Sequence, residues 1–216
     1  MPCPAPRASW VAEVIALVDY GAGNLRSVAN ALKAAGAEGV SVTADPNVVR
    51  AADRIVLPGV GAFKACIEAL RGVPGLVEAM RERVLVGGAP FLGICVGMQL
   101  LADRGIEFGV TEGLGWIGGE VRAIEPSDAS IKVPHMGWND VEPMHHNPLI
   151  VPGEAYFLHS YHFVSEDGAD VAAMTDHGGG LVAAVGRDNV LGVQFHPEKS
   201  QDYGLSLLGR FLEWRP

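Results

Sequence analysis

Pro90-Phe91-Leu92-Gly93-Ile94-Cys95-Val96-Gly97-Met98-Gln99-Leu100-Leu101 is the stretch from which the rest of the chain is best read. An apolar run ends in Gly-x-Cys-x-Gly, and helical spacing begins immediately after it. That is the outline of a nucleophile elbow with Cys at the reactive position. A sharp strand-to-helix turn forces the nucleophile into a strained backbone conformation, and flanking glycines let neighbouring chain pass close by. A thiol at a helix N-terminus also feels the positive end of the helix dipole, which favours the reactive thiolate. On its own the stretch also fits a buried structural cysteine in a Gly-rich turn, so a base must be found elsewhere.

The 216 residues suffice for one large domain with a sizeable core. Hydrophobic residues make up 49% and charged residues 19%, as in an ordinary folded chain and unlike a disordered one. A formal charge of -9 argues against a general nucleic-acid binder. The three cysteines, Cys3, Cys66 and Cys95, are too few and too odd for a disulfide framework, which favours a reducing, cytoplasmic setting. No apolar run reaches the roughly 20 residues needed to span a bilayer, so no membrane association is expected. Residues 1–11 are Pro-rich at their start and read as a disordered leader, leaving 12–216 as a single domain; Cys3 reads as incidental.

Upstream of the elbow, strands and helices alternate. Val11 to Val18 reads as a buried strand, Leu25 to Ala35 as a helix capped by Gly36, and Val40 to Thr43 as a second strand. Asp45-Pro46 opens a short helix, and Arg54 to Leu57 is a third strand stopped by Pro58-Gly59-Val60-Gly61. Ala62 to Leu70 and Leu76 to Val84 have helical spacing, broken by Pro74-Gly75. The expected fold is therefore α/β, a mostly parallel sheet covered on both faces. After Glu120 short β-like segments dominate: Glu120–Ile124, Asp140–Glu142, Ala155–Leu158, His162–Val164, Val171–Met174, Leu181–Val185 and Val190–Phe195. They predict antiparallel additions in the second half, closed by a helix from Tyr203 to Trp214.

The missing base appears in Val193-Gln194-Phe195-His196-Pro197-Glu198. In an extended segment residues two apart share a side, so His196 and Glu198 are expected on one face, with Pro197 complicating the path. A cysteine nucleophile needs an imidazole to move its proton, and the imidazole needs a carboxylate to orient it. Strand-end Cys and strand-end His-x-Glu would both gather at the carboxyl edge of a parallel sheet. Taken alone, His-Pro-Glu is equally a satisfied surface turn. Pro58 to Gly61, at another strand end, is the natural second oxyanion donor beside the Val96 N–H.

Two other chemistries fit less well. His135, His145, His146, His159, His162 and His177 are scattered, without helical His-x-x-x-His spacing, so no metal is expected. His145-His146, beside Asn147-Pro148, reads as an exposed loop. Gly21-Ala22-Gly23 follows a strand and precedes a helix, with Asp45 about twenty residues on, as a dinucleotide site would. Arg26 occupies the place of its third glycine, however, and would obstruct close packing of helix on sheet.

Gly-Ile-Cys-Val-Gly-Met-Gln followed by Gln-Phe-His-Pro-Glu resembles the class I, triad-type glutamine amidotransferases. Four further blocks resemble, within that group, the glutaminase subunits of imidazole glycerol phosphate synthases. They are Asp19-Tyr20-Gly21-Ala22-Gly23-Asn24, Leu57-Pro58-Gly59-Val60-Gly61-Ala62-Phe63, Pro134-His135-Met136-Gly137-Trp138-Asn139 and Tyr156-Phe157-Leu158-His159-Ser160-Tyr161. The likeness runs from about Ile15 to the C-terminus and implies a flavodoxin-like three-layer sandwich.

The resemblance implies that Cys95, His196 and Glu198 are a catalytic triad acting on L-glutamine through a thioester, with no cofactor. It implies an oxyanion hole at Gly59, Val60, Gly61 and Val96, and glutamine-binding roles for Gln99, Glu107, His159 and Ser160. Without it, Gln99 reads as a solvated helix face and Glu107 as a loop charge. It further implies a heterodimer with a (β/α)8-barrel cyclase subunit that consumes the ammonia, with Asn24, Trp138, Tyr156 and Lys199 at the interface. Large aromatics suit an interface on general grounds, although Trp138 and Tyr156 alone read equally well as core. The family's resting state implies that an oxyanion-loop peptide, Gly59–Val60 or Val60–Gly61, points a carbonyl at the site. Two other readings stay open: a stand-alone cysteine hydrolase acting on γ-glutamyl substrates, and a non-catalytic binding protein keeping the fold.

Overall fold

The computed structural model describes residues 13–128, 130–144 and 147–216. The expected leader, Cys3 and the His145-His146 loop lie outside the described residues. The first half alternates as its sequence suggests: β1 (Val14–Val18), α1 (Leu25–Ala34), β2 (Gly39–Thr43), α2 (Pro46–Ala51), β3 (Arg54–Gly59), α3 (Phe63–Gly72), α4 (Leu76–Arg81) and β4 (Phe91–Cys95). Local chemistry explains several boundaries. Gly36, at φ 107, ends α1 while its N–H and that of Ala37 cap the Lys33 and Leu32 carbonyls, a Schellman closure. Asp45 caps α2 by accepting a hydrogen bond from the Asn47 N–H at 2.8 Å, which gives this residue a structural task in place of a nucleotide contact.

Beyond β4 comes a single helical turn, α5 (Val96–Gln99), and then β5 (Arg104–Ile106), β6 (Val110–Glu112), β7 (Gly119–Ala123), β8 (His135–Pro143), β9 (Gly153–His159), β10 (Tyr161–Ser165), β11 (Val171–Asp176), β12 (Gly180–Arg187), β13 (Val190–Val193) and α6 (Gln201–Glu213). Among the described residues, nine strands form one sheet in the order β2-β1-β3-β4-β13-β12-β11-β8-β9. Its pairings are parallel from β2 to β13 and antiparallel from β13 to β9. Helices α1 and α6 pack together, as do α2, α3 and α4. A second, four-stranded sheet has the order β10-β7-β5-β6. The hairpin of β5 and β6 is absent from the sequence reading, because its three-residue strands carry Gly105 and no readable alternation.

Two features of this sheet shape the edge at which Cys95 sits. Chain from the second half enters the parallel core: β13 lies beside β4 with Val193 level with Ile94. β3 also continues through Pro58 to Gly59, where the sequence had suggested a stop. The Ile55 N–H points to the β4 side, so alternation aims position 58 at the β1 side. There the pairing with β1 has already ended at Val56, so the N–H that proline lacks is not needed.

Candidate active site

Cys95 ends β4 in a conformation that L-residues rarely adopt, φ 54 and ψ -114. Three glycines make that turn sterically possible. A Cβ at Gly97 would lie 1.9 Å from the Leu57 carbonyl oxygen, one at Gly93 2.6 Å from the Gly97 oxygen, and one at Gly59 2.7 Å from the Gly97 nitrogen. β3, β4 and α5 thus interlock backbone against backbone, and the strain at Cys95 is held by its neighbours. The helix after Cys95 is only four residues long, so its dipole is weaker than the helical spacing suggested.

The register of β13 on β4 carries the next residues to the same sheet edge. His196 is buried, and its Nδ1 lies 2.8 Å from Glu198 Oε1, itself buried. With Nδ1 so engaged, Nε2 is the ring nitrogen left to interact with the Cys95 thiol. Extended alternation does not create the His-Glu pair, contrary to expectation. Pro197–Lys199 is a 3-10 turn, which swings Glu198 back under the imidazole. Ser200, unforeseen from the sequence, fixes the turn: its hydroxyl donates to the His196 carbonyl at 2.7 Å and accepts from the Tyr156 N–H at 2.9 Å. Burial alone would push the His196 pKa down. Hydrogen bonds to Cys95 and Glu198, with the negative charge of both, outweigh it and raise the pKa to about 9.

A cavity of about 190 Å³ opens over Cys95, lined by Val60, Gly61, Val96, Gln99, Glu107, His159, Ser160 and Lys199. The Gly59-Val60-Gly61 loop is held from beneath. The Tyr20 hydroxyl donates to the Pro58 carbonyl at 2.8 Å, and the Cys66 thiol to the Val60 carbonyl at 3.3 Å. Burial raises the pKa of both donors, so both keep their protons. Val60 itself is 44% exposed and Gly61 has φ 99. Glu107 is not a free loop charge: its Oε2 accepts the Phe63 N–H at 2.7 Å at the start of α3.

Gln99 is buried, not solvated. Its Nε2 donates to the Tyr161 carbonyl at 3.0 Å and to Gln194 Oε1 at 2.9 Å, so only its own oxygen remains for a ligand. His159 also lines the cavity, but both ring nitrogens are engaged, Nδ1 with the Tyr161 carbonyl and Nε2 with His135 Nδ1. Any contact it makes with a ligand is therefore through its backbone or ring carbons. The histidines are also less scattered than they look in sequence, for His135 stacks on His177 with centroids 4.2 Å apart. Among the described residues no group of three His, Cys, Asp or Glu side chains is arranged to hold a metal ion.

The four expected interface residues have distinct settings. Trp138 and Tyr156 are opposite each other on β8 and β9, edge to face with centroids 6.2 Å apart, and Lys199 Nζ lies 5.9 Å from the Tyr156 ring. Two residues along, Met136 faces Leu158, so the same face carries an exposed apolar strip that runs to the cavity rim. Asn24 is exposed at the start of α1, and its side chain makes no cap bond.

Comparison with known proteins adds an independent finding. Residues 16–213 match the family model described as glutamine amidotransferase class-I. The chain is 62% identical over 205 residues to the imidazole glycerol phosphate synthase subunit HisH of Zymomonas mobilis subsp. mobilis, covering 94% of this chain and 96% of the relative. It is 54% identical over 212 residues to the subunit of the same name from Rhodospirillum rubrum, covering 94% and 99%. Among solved structures, one titled as a glutamine amidotransferase aligns with TM-score 0.72 at 21% identity over 93% of this chain and 97% of its own. PurLQS from Thermotoga maritima aligns with TM-score 0.69 at 20% identity over 94% and 99%. At such identities the structural likeness speaks to the fold.

Proposed function

This chain belongs to the class-I glutamine amidotransferase family, and we propose that it hydrolyses L-glutamine at Cys95 as the glutaminase subunit of an imidazole glycerol phosphate synthase. The observation that carries the chemistry is the buried contact between Cys95, His196 and Glu198 at a strained strand end. A His196 pKa raised to about 9 favours an imidazolium at neutral pH, poised beside the Cys95 sulfur. Cys95 sulfur attacks the side-chain amide carbon, and the carbonyl π pair moves onto oxygen. N–H groups of Val96 and of the Gly59-Val60-Gly61 loop receive that charge. The tetrahedral adduct collapses as His196 gives its Nε2 proton to the departing nitrogen, releasing ammonia and leaving a γ-glutamyl thioester. His196 then takes a proton from water as the water oxygen attacks, the C–S bond breaks, and glutamate leaves. Glu198 keeps the imidazole in the tautomer that serves both steps.

Glutamine is held by Glu107, the Gln99 oxygen and the backbone at His159 and Ser160. Gln99 has no amide hydrogen to spare, so it selects a donor on the substrate. The ammonia passes to a (β/α)8-barrel cyclase subunit, which makes imidazole glycerol phosphate and aminoimidazole carboxamide ribotide for histidine biosynthesis in the cytoplasm. Met136, Trp138, Tyr156 and Leu158, together with Lys199 and Asn24, form the face on which that subunit docks. An aromatic-centred strip beside the reactive cavity is the kind of surface that anchors an interface.

Glutamate release, measured with and without the cyclase subunit and its ribonucleotide ligand, tests this reading. Release that depends on partner and ligand and vanishes in Cys95→Ala is expected. Full turnover without a partner would instead favour a stand-alone hydrolase of γ-glutamyl substrates.

A further inference from the structure

Gln194 is a fully buried amide that takes no part in the proton and acyl transfers at Cys95. Its orientation is fixed by groups whose hydrogen-bonding sense is unambiguous. The Tyr161 carbonyl only accepts, so the Gln99 atom facing it is the donor Nε2. That same Nε2 faces Gln194, which must therefore present Oε1 to it. Gln194 Nε2 is left pointing at Cys95 Sγ, 3.7 Å away.

The Tyr161 carbonyl also anchors a second branch. It accepts His159 Nδ1–H at 2.9 Å, which makes His159 Nε2 an acceptor and His135 Nδ1 its donor at 3.0 Å. His135 Nε2 then accepts from Asn139 Nδ2 at 3.0 Å, and Asn139 Nδ2 also donates to the Asp176 carbonyl at 2.7 Å. Every member has one allowed sense, and the whole runs from the nucleophile to β8, next to Trp138.

We propose that Gln194 is a further catalytic residue, donating a fixed N–H to the Cys95 sulfur in an orientation enforced by the Tyr161 carbonyl through Gln99. The inference rests on the reading of Cys95 as nucleophile. A neutral donor facing a sulfur that carries charge stabilises the thiolate more than the thiol. It acts twice: in the free enzyme, and when the second tetrahedral adduct breaks its C–S bond and the electron pair returns to sulfur. Other titratable groups near this sulfur are the His196 imidazole with Glu198 behind it, Tyr20 and Cys66, and Glu107 and Lys199 in the cavity lining. Tyr20 and Cys66 keep their protons through burial, so neither places a negative charge beside the sulfur. Gln194 adds a contact that does not titrate.

The test is alkylation of the full chain by iodoacetamide across pH, read at Cys95 by peptide mass mapping. In Gln194→Met, which keeps the volume and removes the N–H, Cys95 alkylation at neutral pH is expected to slow about tenfold, with its pH profile moved up by about one unit. Gln194→Glu keeps an acceptor for Gln99 but puts oxygen against sulfur, and should slow it at least as much. An unchanged profile in Gln194→Met overturns the proposal; if that variant does not fold, an unchanged profile in Gln194→Glu does so. A shifted profile in a chain that releases no glutamate under any condition would sink the glutaminase reading and leave the Gln194 contact standing.

Discussion

Replacing Gly97 by alanine tests whether the elbow is held by backbone contact with the neighbouring strand. The added Cβ would lie 1.9 Å from the Leu57 carbonyl oxygen and 2.9 Å from its carbon. Leu57 belongs to β3, between β1 and β4, and is level with Gly93. The oxygen therefore has no flexible side chain to yield, and relief requires moving α5 or opening the ladder. Overpacking of this kind costs about 3 kcal/mol or more. For a chain of this size that corresponds to a melting temperature lower by about 6–12 °C. The moved turn should also take Cys95 away from His196, with glutamine hydrolysis falling by at least about a hundredfold. Gly36→Ala is the control, because nothing lies within 4 Å of its added Cβ and only the positive φ of 107 opposes it. It should cost about 1–2 kcal/mol with no change in activity. Calorimetric melting with glutaminase assays on both variants decides. A Gly97→Ala protein that melts with the wild type and hydrolyses glutamine normally would refute the steric account of the elbow.

Other expectations concern the buried ionisable groups. Glu198→Gln removes the charge facing His196 Nδ1 and should lower kcat by about ten- to a hundredfold with little change in KM; a raised KM with kcat unchanged would instead point to a binding role. Stability should also pass through a maximum near neutral pH. Burial lowers the pKa of His135 to about 4 and of His159 to about 3 from an ordinary 6.5, so both are neutral in the folded chain. Their contribution is present above pH 6.5 and is lost as pH falls toward 4 and 3, because the unfolded chain binds protons that the folded chain refuses. His196 has the opposite sign: raised to about 9, it contributes fully below 6.5 and is lost as pH rises through 9. Urea midpoints from pH 4 to 10 read both limbs, and His135→Phe should flatten the acid one.

How much of this was legible in the sequence depends on the range of the interaction. The elbow, the Schellman glycine at 36 and the Asp45 cap are local, and each shows in a few adjacent residue types. The alternating first half is equally plain, because its buried strands are apolar runs between turn residues. Pairing is not local. Nothing in Val190–Val193 states that it lies parallel to β4 while its predecessor β12 is antiparallel to it, yet that register brings His196 to Cys95. The His-Glu contact was expected for the wrong reason, since Pro197 starts a 3-10 turn. Gln194, Ser200, Tyr20 and Cys66 were missed as site residues because their partners lie far along the chain or are backbone carbonyls. A buried Gln beside a catalytic-looking His is the one signal that could have found Gln194.

The most direct measurement is covalent labelling by a diazoketone analogue of glutamine, with the modified residue located by mass spectrometry, in the presence of the cyclase subunit and its ribonucleotide ligand. Stoichiometric label on Cys95, protection by excess glutamine, no label on Cys66 and none in Cys95→Ala are expected. Label that falls on another residue, or that glutamine does not compete away, would contradict the assignment of Cys95 as the nucleophile of a glutamine site.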